Sequence, residues 1–345
     1  MSYQYIVGTY AKKEEEGIFV YSFDPSTGKM SFIQSISGID HPSYVVVNQK
    51  QSFLYAVSET EKGEIVSYHL QKNTGKVTEL DRTSTKGSLP CFISENDKKP
   101  NFLQIANYGG SICTVSVNEQ NGKFEENLNS ITHTGKSVNP DRQEGPHPHS
   151  IVSIPNTNYV VVPDLGADCL VVYEEKGEAL YYHHSIAVAP GAGPRHCAFH
   201  PRLPVVYVME ELSSTISIFT YDENGQFQLI NRVSTLPKDY EVENTGAEIK
   251  VDLDGEFLYA SNRGHNSIAS FSIAKDGSLM NIGYTNTKGE TPRHFSITPD
   301  NRFVLVANQD SDCIVVFKKE ESGLLKDTGY RYSVKKPVCL QPYFL

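Results

Sequence analysis

Hydrophobic and polar residues alternate along this chain in short runs that return in the same order several times. One kind of run opens with proline and continues in period two: Pro42-Ser-Tyr-Val-Val-Val, Pro90-Cys-Phe-Ile, Pro148-His-Ser-Ile-Val, Pro194-Arg-His-Cys-Ala-Phe and Pro292-Arg-His-Phe-Ser-Ile. Such alternation after a proline predicts the start of a strand. A second kind is almost wholly apolar with a polar end, as in Leu54-Tyr-Ala-Val-Ser-Glu, Val206-Tyr-Val-Met-Glu-Glu, Leu258-Tyr-Ala-Ser-Asn-Arg and Val304-Leu-Val-Ala-Asn-Gln. A third strand (Ile65-Val-Ser-Tyr, Ile216-Ser-Ile-Phe, Ile314-Val-Val-Phe) leads to Asn121-Gly122, Asn224-Gly225 or Asp276-Gly277. Those pairs have the chemistry of tight hairpins, so a fourth strand follows.

The turn glycines Gly28, Gly75, Gly122, Gly177, Gly225, Gly277 and Gly323 recur at intervals of roughly 46 to 55 residues, the length of a propeller blade. A four-stranded blade cannot bury both faces alone, so the repeat predicts an all-β, seven-bladed β-propeller, residues 1–345 forming one domain. The ends of the chain bear on its closure. Residues 3 to 35 supply second, third and fourth strands only, while Pro337-Val-Cys-Leu-Gln-Pro supplies a lone first strand. The two termini are expected to complete one blade and remove an exposed sheet edge. Two intervals are enlarged, near Thr132 to Gly145 and Pro237 to Thr245; long loops on a rigid scaffold are candidates for function as well as plain insertions.

Composition supports a globule, with 39% hydrophobic residues, 20 Tyr and 16 Phe. The net charge of -10 removes the bulk basic footprint expected of a nucleic-acid or anionic-membrane binder. No apolar stretch reaches the roughly 18 residues of a membrane span, and Met1-Ser-Tyr-Gln-Tyr lacks a signal-peptide pattern, so a cytoplasmic location is expected. Of six cysteines, Cys113, Cys169 and Cys313 fall on equivalent third strands and Cys91, Cys197 and Cys339 on first strands. Equivalent strands of separate blades lie too far apart for disulfides, which predicts reduced, mostly buried thiols. No Cys-x-x-Cys or His/Cys zinc spacing occurs, and neither metal nor cofactor is expected.

First strands of a propeller surround its channel, so residues at one offset from each proline converge. That offset carries His149, Arg195 and Arg293, against Ser43, Cys91, Ala247 and Val338 in the other repeats. The second strands add Asn107 and Tyr108, Asp164, Glu210 and Glu211, Asn262 and Arg263, and Asn308 and Gln309 to the same end. A single arginine here reads as an inter-blade ion pair; several cations and carboxylates in one register point to a site. His147-Pro-His149 lacks a third ligand and suits acid–base or hydrogen-bonding roles better than metal binding. No Gly-x-Ser-x-Gly elbow is present, and Gly109-Gly110 lacks the strand-to-helix setting of a phosphate loop.

Gly145-Pro-His-Pro-His149, Gly191-Ala-Gly-Pro-Arg-His196, Glu210-Glu-Leu212, Ser261-Asn-Arg-Gly264 and Thr291-Pro-Arg-His294 resemble the seven-bladed lactonase family of propeller-type 6-phosphogluconolactonases and carboxymuconate cyclases. The resemblance runs blade by blade along the chain. It implies active-site roles for His149, Arg195, Glu211 and Arg263, and hydrolysis of 6-phospho-glucono-1,5-lactone, with His149 or Glu211 as base. Substrate contacts are expected from His147, His196, Arg293, His294, Asn107 and Tyr108, with a guanidinium fork suited to phosphate. The same arginines suit a carboxylate, so another lactonase or a lactonising cyclase is a second reading. A noncatalytic propeller binding protein or sugar is a third.

Overall fold

The computed structural model describes residues 3–344, apart from 72, 73, 75 and 127. Seven antiparallel four-stranded sheets follow one another round a ring. Blade I contains Pro337–Phe344, Tyr3–Thr9, Ile18–Asp24 and Lys29–Ile36; blade II contains Val45–Val47, Phe53–Ser58, Glu64–Gln71 and Lys76–Ser84. Blade III has Pro90–Glu95, Phe102–Asn107, Ser111–Ser116 and Asn129–Thr132; blade IV has Val152–Ser153, Tyr159–Asp164, Cys169–Lys176 and Ala179–Ala187. Blade V is Pro194–Phe199, Val205–Glu210, Thr215–Tyr221 and Phe227–Ser234. Blade VI is Thr245–Val251, Phe257–Arg263, Ser267–Ile273 and Leu279–Asn286, and blade VII is Pro292–Ile297, Phe303–Asn308, Cys313–Lys319 and Leu325–Ser333. Tyr3 pairs with Phe344 and Thr9 with Pro337, so the two ends of the chain close the ring as the sequence predicts.

The core is distributed between blades. Tyr3, Tyr5 and Val7 pack against Phe303, Leu305 and Ala307 of blade VII, while Ile6 of the same strand packs on Leu54 and Ala56 of blade II. Period-two alternation thus serves two neighbours at once, and the second strands read as continuous apolar runs because both of their faces are covered. Fourth strands form the rim and are largely exposed, as in Phe227–Ser234. The six cysteines are unpaired.

The recurring glycines have a physical reason. Gly28, Gly122, Gly177, Gly225, Gly277 and Gly323 adopt φ between 63° and 84°, a region that side chains disfavour; Gly75 lies outside the described residues. At five of them a Cβ would come within 3.0 Å of the preceding blade, for example at Phe53 beside Gly122 and at Phe257 beside Gly323. Each such hairpin therefore seats its bare Cα on the start of the neighbouring second strand.

A break in register aims the channel residues. Pro194 pairs with Glu210 but His196 with Met209, which leaves Arg195 out of the ladder; Cys91, Arg293 and Val338 are skipped in the same way in blades III, VII and I. Such bulges turn the extra side chain out of the regular alternation.

Candidate active site

Two rings of side chains meet at one end of the channel. The inner ring comes from the residues after Pro42, Pro90, Pro148, Pro194, Gly246, Pro292 and Pro337, and the outer from residues at the ends of the second strands. Between them lies a tight cavity of about 10 Å³, room for about one water molecule. Ser43, Cys91, His149, Arg195, Arg293 and Val338 line it from the inner ring and Tyr10 and Glu59 from the outer. Tyr44, His196 and His294, one residue further along their first strands, complete the lining. A larger hollow of about 360 Å³ between Pro155 and Glu223 contains none of the candidate residues.

Glu211 is the centre of a cationic cluster beside this cavity. Its Oε1 accepts from Arg142 Nη2 at 2.6 Å, and its Oε2 lies 3.0 Å from Arg195 Nε and 2.8 Å from Arg263 Nη2. Backbone acceptors hold the arginines in turn, Ala247 O for Arg195 and Gly246 O for Arg263. Burial alone would raise the Glu211 carboxyl, but Arg263, Arg195, His149 and Arg142 hold it well below its ordinary value. A carboxylate stabilised this strongly is an organiser of arginines and a poor base. Burial lowers Arg263 to about 10, and its Nε–H is buried without an acceptor.

His149 offers a neutral, weakly basic ring with an uncommitted nitrogen. Burial first, then Arg195 and His196, keep its pKa well below that of an ordinary histidine, so the ring is neutral. Nδ1 lies 3.7 Å from Cys91 Sγ, while Nε2 has no partner among the described residues. His196 and His294 are also neutral, lowered by burial to about 4 and about 3. Arg195 Nη1 donates to His196 Nε2, so Nδ1 carries the proton toward Glu248 Oε1 at 3.3 Å; His294 Nε2 lies 3.1 Å from Glu248 Oε2. Burial removes the charge of both imidazoles, so either would meet a ligand through hydrogen bonding and not as a cation.

Arg293 differs from the other arginines. Its guanidinium lies over the Tyr10 ring, 5.2 Å from the centroid, and donates no hydrogen bond to any described residue. Tyr108 stands at the edge of the cluster, its hydroxyl accepting from Arg142 at 3.3 Å and its ring stacked on His147 at 4.2 Å. The His147 Nδ1–H donates to Tyr108 O, fixing that residue at the mouth.

Alternation within the second strands separates residues that adjacent positions in sequence had grouped. Asn107 turns away from the cavity to Ser111 Oγ at 3.1 Å, and Asn262 and Asn308 donate to Thr235 O and Thr287 O. Glu210 pairs with Arg232, so it too serves the blade, and Glu211 alone of the pair enters the site. Asn107 is therefore a structural residue and not a cavity contact.

Sequence reasoning missed Arg142, Glu59, Tyr10 and Glu248. Arg142 stands in the enlarged loop, where no repeat register exists to reveal it. Asp164 pins both ends of that loop: Oδ2 is 2.7 Å from His133 Nδ1 and Oδ1 accepts from the His147 backbone N–H at 2.7 Å. Glu59 and Tyr10 occupy the outer-ring offset of Glu211, so the repeat itself carried the signal for them. Glu248 follows Ala247 as His196 follows Arg195, and only the bulge brings that second position inward.

Fold and site together define a propeller with an arginine–carboxylate cluster at one mouth of its channel. The family model described as "Lactonase, 7-bladed beta-propeller" matches residues 4–342, and the chain belongs to that family. It is 35% identical over 339 residues to the 6-phosphogluconolactonase of Bacillus subtilis (strain 168), covering 97% of both chains. The 6-phosphogluconolactonase of Formosa agariphila is 32% identical over 350 residues, with 98% of both covered. Among solved structures, the Pseudomonas aeruginosa periplasmic gluconolactonase PpgL superposes with a TM-score of 0.93 at 29% identity, over 99% of each chain. These relatives support sugar-lactone hydrolysis. Among the described residues no helix is long and apolar enough to cross a membrane.

Proposed function

We propose that this chain, acting as one propeller domain, hydrolyses 6-phospho-glucono-1,5-lactone to 6-phosphogluconate at this end of the channel. The observation that carries the reading is the uncommitted guanidinium of Arg293: a cation facing a cavity with its donors unused is a receptor for an anionic group. The orphan Nε–H of Arg263 supports it, since a buried donor without an acceptor costs about 1–3 kcal/mol unless a ligand supplies one.

Water attacks C1 of the lactone while neutral His149 Nε2 takes its proton, a contribution of about 10² to 10⁴ in rate. Arg195 Nη2 and Arg263 Nη1 carry no bond to a described residue and stabilise the oxyanion, each fixed donor adding roughly 3–4 kcal/mol. Glu211 holds both guanidinium groups in place before substrate arrives. Arg293 binds the phosphate at the far end of the sugar.

The test compares freshly prepared 6-phospho-gluconolactone, gluconolactone and a carboxylated lactone, with spontaneous opening subtracted. Wild type is expected to prefer the phosphorylated substrate. Arg293→Ala is expected to raise its KM about 100-fold while leaving gluconolactone turnover nearly unchanged. Equal kinetics for phosphorylated and unphosphorylated lactones in the wild type would refute the phosphate assignment; preference for the carboxylated lactone would move the arginine to carboxylate recognition.

A further inference from the structure

The cavity holds a second outer-ring carboxyl with surroundings unlike those of Glu211. Glu59 ends a second strand in blade II, three blades round the ring from Glu211 in blade V, and lines the cavity with Tyr10, Arg293 and His149. Glu211 makes three ion pairs, whereas Glu59 has none within 4.0 Å among the described residues. What holds it is the Tyr10 hydroxyl, 3.1 Å from both carboxyl oxygens, and the bond from its own N–H to His41 O. A half-buried carboxyl without a cation in contact is pushed toward its protonated form, because desolvation penalises the charged form.

We propose that Glu59 is the general acid of the lactone hydrolysis, delivering its carboxyl proton to the ring oxygen as the ring opens, with Tyr10 as the residue that positions it. The inference rests on the lactonase reading above and supplies the step that a base and an oxyanion hole leave undone. Water adds its oxygen to C1 and gives one proton to His149. The C1–O5 bond then breaks, its electron pair goes to O5, and the Glu59 proton joins O5 to form the C5 hydroxyl. The imidazolium proton and the Glu59 carboxylate re-equilibrate through solvent, so lactone plus water gives the hydroxy acid without an oxidant or reductant.

The electrostatics agree with the geometry. Burial raises the Glu59 pKa, opposed by Arg293, Ser43, Tyr10 and Arg195; of the titratable groups that share the cavity, Cys91 and Tyr44 are driven up by burial and His149, His196 and His294 are kept neutral by it. With Glu211 held ionised as the anchor of the arginines, Glu59 is the carboxyl of the pair whose pKa is raised and which can carry a proton into the reaction.

Glu59→Gln keeps the volume and hydrogen-bonding capacity and removes the transferable proton. Its kcat is to be compared with wild type on the 6-phosphorylated lactone and on the analogue with sulfur as the ring atom, whose thiolate departs without protonation. The expected result is a loss of about 10² to 10³ on the lactone, less than about 3-fold on the thiolactone, and disappearance of the alkaline fall in kcat. Equal losses on both substrates, or no loss on the lactone, would overturn the assignment. Tyr10→Phe is the independent variant. Removing a donor that favours the carboxylate raises the Glu59 pKa further, so the alkaline limb moves to higher pH, and an unmoved limb would also overturn it. Failure of the wild type itself on every lactone tested removes the lactonase reading and this step with it, whereas turnover by wild type with an unimpaired Glu59→Gln removes this step alone.

Discussion

Replacing Glu211 with Gln tests the claim that this carboxylate organises the arginine cluster. The substitution keeps the shape and leaves Arg195, Arg263 and Arg142 facing one another without their shared anion. Glu211, Arg195 and Arg263 have side-chain exposures of 3%, 4% and 12%, so water gives little relief; Arg142, at 39%, recovers much of its solvation. Removing one partner from a buried ion pair costs about 3–5 kcal/mol, and the half-exposed third pair adds little. With an unfolding entropy of about 2.1 cal/mol/K per residue over 345 residues, that loss lowers Tm by about 4 to 7 °C. The pH dependence has a definite sign. The folded Glu211 pKa is depressed, so its stabilisation is full above the unfolded value of about 4.3 and is lost as pH falls through the lower folded value. Thermal melts of both proteins are therefore expected to show a constant Tm gap from pH 7 to 5 that narrows only below about pH 4. A gap of under 1 °C at pH 7, or one that closes already between pH 7 and 5, would refute the three-arginine clamp.

Two further changes test the scaffold. Removing Pro337–Phe344 strips the pairing partner from Tyr3–Thr9 and withdraws the buried Val338, Leu340 and Tyr343; at about 1.5–3 kcal/mol each, that approaches the net stability of a typical domain, so the truncated chain is expected to aggregate or melt at room temperature, and a melt matching wild type would contradict the closure. Asp164→Asn places an amide against the N–H donors of His147 and Ala167 and weakens the anchor on His133. Trypsin cleavage after Lys136 and Arg142 is then expected to accelerate about 10-fold, while unchanged cleavage would mean that Asp164 does not hold the loop.

Most of the architecture was legible because a blade is a local unit. Turn glycines, strand-opening prolines and apolar second strands each follow from constraints within about 50 residues, and the unmatched strands at the two termini foretold the closure. His149, Arg195 and Arg293 were legible for the same reason, since a repeat makes departures from its bland positions visible. Legibility ended where the side-chain direction within a register mattered. Glu210 and Glu211 look alike in sequence, yet one faces Arg232 and the other the arginine cluster.

From sequence alone came the ring of blades and most of the charged side chains that gather at one end of the channel. The tertiary structure decided what those residues are. Burial neutralises His196 and His294, three converging arginines keep Glu211 ionised, and an inserted loop delivers Arg142 from outside the repeat. Charge state and hydrogen-bond commitment depend on neighbours contributed by other blades, at separations of tens to hundreds of residues, and no local pattern encodes them.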